Sequence, residues 1–316
     1  MKILFISPRY SGGIGAHALR VAEKLREHSF DVKLMNVPHI PIKNIKNPSF
    51  SIFGIMKALF DREEYDVVHA FNVPSAFIMK FINAKKKVLS VHGVYSEQVS
   101  MIHSKPTSQV VNMAEERVLK WADKLTTDSK KVVEIYKEKL GLEVEYLPAP
   151  LDTSKMKDFP EVDKIKNQVI YLGRDSYEKG IDILKKIESK IKGKVVYCMN
   201  IPWEEAMKKL KSSSIMVVPS RMESLPQTIK EAYFLRIPVI ATNVGGIPEI
   251  VEHDVTGILV PPNEPEKLLF EINNLLEDEK RTERLAKAGY DYVVKNFTWN
   301  SLLSQYVEFY EELISK

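Results

Sequence analysis

Cysteine is nearly absent from this chain of 316 residues, which contains only Cys198. A single cysteine excludes an internal disulfide, favours a reducing compartment, and here is expected to be a small buried strand residue. Long hydrophobic runs are absent too. The apolar run in the opening MKILFISPRY is too short to be the core of a signal peptide. No stretch approaches the roughly 20 consecutive apolar residues of a membrane span. We therefore expect a cytoplasmic globular protein.

Neither short repeats nor low-complexity segments occur, so a solenoid is excluded. The length predicts two domains of roughly 150 residues each.

Charged residues are distributed unevenly along the chain. Residues 1–150 contain 22 Lys and Arg against 16 Asp and Glu, whereas the remaining residues contain 24 Lys and Arg against 26 Asp and Glu. The basic half suits an anionic partner such as a lipid headgroup or a phosphorylated acceptor. A solvated basic surface with no partner explains the same counts.

Short β-rich runs alternate with helical patterns in both halves, which predicts two doubly wound parallel sheets. The first helix is expected from Ile14 to His28. Strands are expected at 2–6, 32–37, 66–71, 87–92, 124–127 and 144–147, and then at 168–173, 195–198, 215–220, 238–242 and 257–262.

A polar, proline-rich segment at 148–167 reads as the linker between the halves. The expected division is an N-terminal domain at 1–150 and a C-terminal domain at 151–298. An amphipathic helix at 299–316 is expected to pack back toward the N-terminal domain. Loops after the strands of two facing sheets would line a cleft and hold the chemistry.

The first such loop is rich in glycine and leads into a helix, with Gly12, Gly13 and Gly15 in SPRYSGGIGAH. Glycine lets backbone approach a phosphate, and a helix N-terminus favours negative charge. The spacing also fits a dinucleotide fingerprint, which supports an oxidoreductase. That alternative expects an acidic residue at the end of the second strand, where this sequence has Asn36-Val37-Pro38.

Two further loops carry charged residues. GRDSYEKG, from Gly173 to Gly180, contains Arg174 and Lys179, whose spacing suits a diphosphate clamp, although loop cations are usually only solvated.

The richest segment runs from Val218 to Val251. Pro226 is expected at the first position of a helix whose positive end Ser224 and Leu225 would line. Glu223 and Glu231 suit sugar or ribose hydroxyls, but two glutamates eight apart often arise by chance.

The strings S-R-x-E-S-x-P-x-x-x-x-E-A, P-V-I-A-T-N-V-G-G-I-P-E-I-V and T-G-I-L-V-P-P resemble the retaining glycosyltransferases of family four. GGIGAH, DVVH, the strand-end His92, Ala122-Asp123 and GRDSYEKG follow in the family's order, so the resemblance covers nearly the whole chain. It implies the GT-B fold, with two Rossmann-like doubly wound parallel sheets across a cleft.

The resemblance also implies roles for the donor-side residues. Arg174 and Lys179 match the basic pair that holds the diphosphate and stabilises the leaving phosphate. Glu223 matches the acid that contacts the transferred sugar, and Glu231 the one that binds the ribose. Gly173, Ser224, Leu225 and Pro226 complete the expected donor site.

On the N-terminal side, His92 matches a histidine of the sugar pocket, although a lone strand-end histidine is more often structural. Gly13 and Gly15 match the loop nearest the phosphates and acceptor. No two aspartates lie two positions apart, so the metal-binding Asp-x-Asp motif of other glycosyltransferases is missing. We expect a metal-independent reaction that needs no cofactor beyond its UDP-, GDP- or ADP-linked sugar substrate. We expect no nucleic-acid partner.

The sequence departs from the family's pattern in places. Only about 40 residues separate Lys179 from Pro219, which leaves a trimmed donor domain and puts the contacts to the base in doubt. The usual N-G-V-D reads Ala149-Pro150-Leu151-Asp152, and a customary glycine is Arg236. A nucleotide-sugar-binding protein without transferase activity is the alternative that this trimming supports.

The acceptor side contains an apolar, partly helical segment, Asn47 to Glu63, flanked by Lys43, Lys46 and Lys57. A second basic cluster follows at 85–87. Such a surface suits peripheral contact with the inner membrane face and a lipid-linked acceptor. Ordinary core packing explains the apolar face equally well. The apolar residues of the segment from Asn47 to Glu63 are Phe50, Ile52, Phe53, Ile55, Met56, Leu59 and Phe60.

Overall fold

A computed structural model of the chain describes residues 1–8, 13–42, 45–93, 115–157 and 159–315. The chain divides into two compact units. Unit 1 comprises Met1–Ala149 together with the chain from Leu303 onward, and unit 2 comprises Pro150–Leu302.

Unit 1 is built on a six-stranded parallel sheet in the order β2-β1-β3-β4-β5-β6. Its strands are mostly buried, as expected where helices cover both faces of a parallel sheet. They are β1 Lys2–Ile6, β2 Asp31–Met35, β3 Tyr65–Ala70, β4 Ala84–Ser90, β5 Lys124–Thr127 and β6 Val144–Tyr146.

The helices of unit 1 include α1 Gly13–Glu27, α2 Lys46–Phe60, α3 Val73–Met79 and α4 Lys130–Leu140. Local sequence sets several of their ends. The Asn72 side chain accepts from the Ser75 backbone N–H at 2.9 Å and caps α3, because Asn satisfies a free amide of the first turn. Ser129 caps α4 in the same way, and Gly141 ends α4 in the left-handed conformation.

Unit 2 is built on a five-stranded parallel sheet in the order β11-β10-β9-β7-β8. The strands are β7 Gln168–Leu172, β8 Lys194–Cys198, β9 Ile215–Val218, β10 Val239–Thr242 and β11 Ile258–Val260. The helices are α5 Ser154–Lys157, α6 Ile181–Ile187, α7 Trp203–Ser212, α8 Gln227–Phe234, α9 Pro265–Glu277 and α10 Glu279–Asn296. Cys198 is buried at the end of β8, as predicted.

The last helix, α11 Trp299–Ser315, joins the core of unit 1 from Leu303 onward. Tyr310 is fully buried, and its hydroxyl lies 2.6 Å from Nδ1 of His69 in β3. Nε2 of His69 lies 2.7 Å from Oγ of Ser90, so a hydrogen-bonded chain links the helix to two strands. Burial is the main reason that the pKa of His69 is lowered to about 3, and the charge of His92 adds to it.

All eleven expected strands are present, and their ends differ from the expected ones by three residues at most. Several expected strands end later than the observed ones because buried residues continue into the loops, as in Pro219-Ser220 after β9. The two-sheet, Rossmann-like architecture is confirmed. Among the described residues, no helix has both the length and the apolar character needed to cross a membrane.

Candidate active site

Three loops of unit 2 meet at one edge of its sheet. They follow β7, β9 and β10, which are neighbours in the order β10-β9-β7. Because the strands are parallel, the loops at 173–180, 219–226 and 243–246 leave the same edge of the sheet. Parallel sheets bind ligands at this edge, so the predicted donor residues on these loops are brought together.

Two glycines allow the loops to pack closely. Gly180 has a φ of 64°, and a Cβ there would collide with the carbonyl oxygen of Pro219. Gly245 has a φ of 53°, and a Cβ there would collide with the carbonyl oxygen of Glu223. Any other residue would be strained at either position and would push the loops apart.

Lys179 and Glu223 form an ion pair at the centre of this region. Nζ of Lys179 lies 2.6 Å from Oε1 of Glu223, and the side chains are only 22% and 9% exposed. The hydroxyl of Ser220 donates to the same carboxylate oxygen at 2.9 Å. These contacts hold both charged groups in place, partly shielded from water, where electrostatic interactions are strong.

Arg174 is arranged differently from Lys179. Its side chain is 73% exposed, and Nη2 lies 3.2 Å from Oε1 of Glu178. Its carbonyl oxygen accepts from the hydroxyl of Tyr171 at 2.7 Å, which fixes the backbone next to Gly173. The two cations expected to act as one clamp therefore contact two different carboxylates.

The charge of Glu178 is stabilised by this arrangement. Burial opposes ionisation of its carboxyl group, but the nearby Ser176 hydroxyl, a backbone amide and the charges of Arg174 and Lys179 outweigh it and lower the pKa of Glu178. Its backbone oxygen also accepts from the amide of Arg221 at 2.8 Å. Glu178 thus links the basic loop to the loop after β9.

Sequence reasoning assigned no role to Arg221, yet this side chain joins several parts of the site. It makes two 2.7 Å hydrogen bonds to the carboxylate of Asp182 and a third of 2.7 Å to the carbonyl oxygen of Tyr177. Its guanidinium also stacks over the Tyr177 ring, 4.0 Å from the centroid. Arg221 therefore fastens the loop after β9 to the loop that carries Lys179.

Helix α8 begins at Gln227, one residue later than expected, with Pro226 as its N-cap residue. The prediction that Pro226 occupies the first helical position was wrong by one residue, because its ψ of 121° is extended rather than helical. Leu225 and Pro226 are buried, and Ser224 is partly exposed. The helix N-terminus lies on the loop that carries Glu223, where backbone amides favour an anion.

Glu231 lies in the second turn of α8 and is held by a residue that sequence reasoning missed. The indole Nε1 of Trp203, the first residue of α7, donates to Oε1 of Glu231 at 2.9 Å. Trp203 follows the loop after β8, so it enters the site from a fourth strand. Its only sequence signal was an aromatic residue at the start of a helix, directly after a strand-end loop.

The corresponding edge of unit 1 carries imidazole and aromatic groups. Nδ1 of His92, after β4, lies 3.4 Å from Oδ2 of Asp128, after β5. The ring of His17 in α1 lies edge-on to His92, with 6.1 Å between centroids. His17 and Asp128 were not singled out from the sequence, although His17 ends the GGIGAH string.

Gly13 begins α1 with a φ of 48°, and a Cβ there would meet no atom within 4 Å. Gly15 is buried in the first turn. Both therefore lie on the loop side of α1, at the same edge of the sheet as His92. Gly12 lies outside the described residues, as does Lys43.

Two family models match the chain. The one described as "Glycosyltransferase Family 4" matches residues 11–155, and the one described as "Glycosyl transferases group 1" matches residues 185–292. They fall on the two units in the expected order. The chain belongs to the glycosyltransferases of family 4 and group 1.

Individual proteins agree with this assignment. An uncharacterized glycosyltransferase of Methanocaldococcus jannaschii is 22% identical over 98% of each chain. Sucrose-phosphate synthase from Thermosynechococcus elongatus has a similar structure, with a TM-score of 0.82, 19% identity and coverage of 100% of this chain and 99% of that one. HepE of Anabaena in complex with UDP-glucose has a TM-score of 0.74 at 17% identity, covering 99% of this chain and 100% of its own. The chain described here has the GT-B fold of these two solved structures.

Proposed function

We propose that this glycosyltransferase transfers a hexose or N-acetylhexosamine from a nucleotide diphosphate sugar, with retention of configuration and without a metal ion. The observation that carries the proposal is the shielded Lys179–Glu223 pair beside the N-terminus of α8. A cation and a carboxylate side by side suit a ligand with both a diphosphate and sugar hydroxyls.

The chemistry needs stabilisation of a departing diphosphate. The bond between C1 of the sugar and the phosphate oxygen breaks, and its electron pair stays with the diphosphate. The acceptor hydroxyl oxygen bonds to C1 from the same face, and its proton passes to the departing phosphate. Lys179 and the amides at the start of α8 would stabilise the growing negative charge, which is the largest contribution such a site makes.

Glu223 would change partners when the donor binds. In the structure it accepts from Lys179 and Ser220. A bound diphosphate would compete for the ammonium group, leaving the carboxylate to accept from hydroxyls of the transferred sugar. Arg174 is exposed and would act as a second cation that closes on the phosphates.

Glu231 would bind the ribose of the nucleotide through its carboxylate. Trp203 supports this role because its N–H donates to one carboxylate oxygen at 2.9 Å and so orients the carboxylate. His92, with Gly13 and Gly15, would lie on the side of the sugar and acceptor. UDP-, GDP- and ADP-linked sugars are the candidate donors, and the HepE complex makes UDP-glucose the first to test.

The acceptor would be a lipid, a glycan or a small molecule. Peripheral contact of unit 1 with the cytoplasmic face of a membrane would bring a lipid-linked acceptor within reach.

The test is donor turnover by the purified full-length chain. Each sugar nucleotide is incubated with and without a panel of acceptors, in the presence of EDTA, and release of nucleotide diphosphate is measured. We expect slow donor hydrolysis alone and faster release with the right acceptor. EDTA should change neither rate. Tight nucleotide-sugar binding without release of diphosphate across the panel would identify a binding protein instead, and loss of turnover with EDTA would overturn metal independence.

A further inference from the structure

Helix α2 of unit 1 exposes a continuous apolar stripe. Within the described part of the chain, five of its large apolar side chains are exposed, among them Leu59 at 63% and Phe60 at 83%. Their spacing places them along one side of the helix, since each lies three or four residues from another of them. The stripe consists of Ile52, Phe53, Met56, Leu59 and Phe60.

The opposite side of the helix fixes this orientation. Phe50, Gly54 and Ala58 are buried, and α2 packs on α3. A Cβ on Gly54 would collide with the side chain of Ile78 in α3, so the two helices approach closely at that point. Core packing therefore accounts for the buried side of α2 and leaves the stripe unexplained.

The loop before α2 extends the stripe. Ile40, Ile42 and Ile45 are exposed as well. Single exposed apolar residues are ordinary on protein surfaces, but eight within 21 consecutive residues form a patch of the kind that marks an interaction site.

The charge around the patch has one sign. Residues 32–60 contain no Asp or Glu, but they contain Lys33, Lys43, Lys46 and Lys57. Lys57 is exposed and flanks the stripe, and its Nζ donates to the carbonyl oxygen of Asn36 at 3.0 Å. An apolar stripe with lysines and no carboxylates is complementary to anionic lipid headgroups above acyl chains.

Two of the four acidic residues at 61–66 form ion pairs with lysines, one of which is Lys33. Glu63 lies 2.7 Å from Nζ of Lys2 and 2.6 Å from Nζ of Lys33. Asp66 lies 2.7 Å from Nζ of Lys85. These pairs reduce the repulsion that an anionic surface would meet at this end of α2.

We infer that α2 docks unit 1 on an anionic lipid bilayer, with the stripe Ile52, Phe53, Met56, Leu59 and Phe60 in the interfacial layer. The helix has 15 residues, too few to cross the hydrocarbon core, so it lies in the plane of the surface. This inference deepens the proposed membrane contact of the acceptor side and rests on it, whereas donor chemistry is a separate property of unit 2.

The test is sedimentation of the full-length protein with vesicles of phosphatidylcholine, with and without phosphatidylglycerol. Wild type should bind the anionic vesicles, and high salt should weaken the binding. The double variant Leu59→Ser, Phe60→Ser should bind at least about tenfold more weakly, because two large apolar side chains are lost from the interface. Lys57→Gln should weaken binding about fivefold.

The matched control is Phe270→Ser in α9 of unit 2, where Phe270 is 62% exposed. It should leave vesicle binding unchanged. Leu59→Trp supplies a second measurement: its fluorescence should shift to the blue when anionic vesicles are added. Donor hydrolysis should be the same in wild type and the double variant, so failure of the membrane inference is distinguishable from failure of the donor site.

The inference is overturned if wild type does not bind anionic vesicles, or if the double variant binds as wild type does. It is also overturned if light scattering finds a wild-type dimer that the double variant loses while vesicles bind neither form. In that case a second copy of the chain covers the stripe.

Discussion

The two units present similar sheet edges with different chemistry. At the edge of unit 2, charged side chains are held by one another, as in Lys179 with Glu223 and Arg221 with Asp182. At the edge of unit 1, the ring of His17 lies edge-on to His92, and the carboxylate of Asp128 lies beside His92. Among the described residues, fixed charge is thus concentrated at the edge of unit 2, the unit proposed to bind the diphosphate. The comparison teaches that one fold can present ion pairs at one sheet edge and imidazole groups at the other.

The comparison predicts its largest effect at the ion pair of unit 2. Lys179→Ala and Glu223→Gln should each lower turnover about 10²- to 10³-fold, because each removes a preorganised charge from the reacting groups. Steady-state kinetics with the active donor would measure this.

Lys190→Ala is the matched control for that experiment. Lys190 pairs with Glu266 at 3.4 Å, but both side chains are more than half exposed, so the pair has little energetic value. Its turnover should match wild type. Near wild-type turnover in a folded Lys179→Ala variant would show that the ion pair of unit 2 does not contribute to the reaction.

A smaller effect, on nucleotide affinity, is expected at Trp203 in unit 2. Trp203→Phe keeps an aromatic ring but removes the N–H that holds Glu231. We expect nucleotide affinity to fall about tenfold, the usual value of a hydrogen bond to a charged group, while kcat changes less. Titration calorimetry would measure the affinity. Trp121→Phe in unit 1 is the control and should bind nucleotide as wild type does; equal affinity for both variants would mean that Trp203 does not position Glu231.

Arg221 tests whether the loops of unit 2 act as one structure. Arg221→Ala removes the contacts to Asp182 and Tyr177, so we expect a loss of about 1 to 2 kcal/mol in the free energy of unfolding and a several-fold fall in kcat/KM. Chemical denaturation and kinetics would measure both. Arg284→Ala, which removes an exposed contact to Asp254, is the control with a smaller expected cost. Stability unchanged in Arg221→Ala would show that the loops hold together without it.

A last effect, on stability and not on turnover, concerns the core of unit 1. His69 is neutral in the folded protein because its pKa is lowered to about 3, whereas the unfolded value is 6.5. Between these values the unfolded chain binds the extra proton, so stability falls as pH falls, by up to about 1.4 kcal/mol per pH unit. His69→Gln should flatten this dependence in denaturation curves measured from pH 7 to about pH 4. His28→Asn, at an exposed position, should leave it as in wild type, and an unchanged slope in His69→Gln would assign the pH dependence to other groups.

The sheets and the loops that carry the donor residues could be predicted from the sequence, because apolar runs of strand length mark each strand and ligands bind at their carboxyl ends. The pairing of Lys179 with Glu223 could not, since the residues are 44 positions apart and their contact depends on two glycines that let the loops approach. Trp203 was missed for the same reason: it meets Glu231 only once α7 and α8 are placed on the sheet.

Helix α2 illustrates a second limit. Its apolar pattern predicted a helix correctly, but the pattern alone did not decide between a core and a surface role. Seven large apolar residues were candidates for the core, and only Phe50 is buried. Burial depends on what packs against each side of a helix, and that information is in the tertiary structure.

The most direct measurement of the donor site is a thermal-shift screen of wild type and Lys179→Ala with UDP, GDP, ADP and their sugars. A ligand that binds only the folded protein raises its melting temperature. One nucleotide diphosphate sugar should raise the Tm of wild type clearly and that of Lys179→Ala much less. No shift with any of them, or an equal shift in both proteins, would contradict the assignment of Lys179 and its loop to the diphosphate.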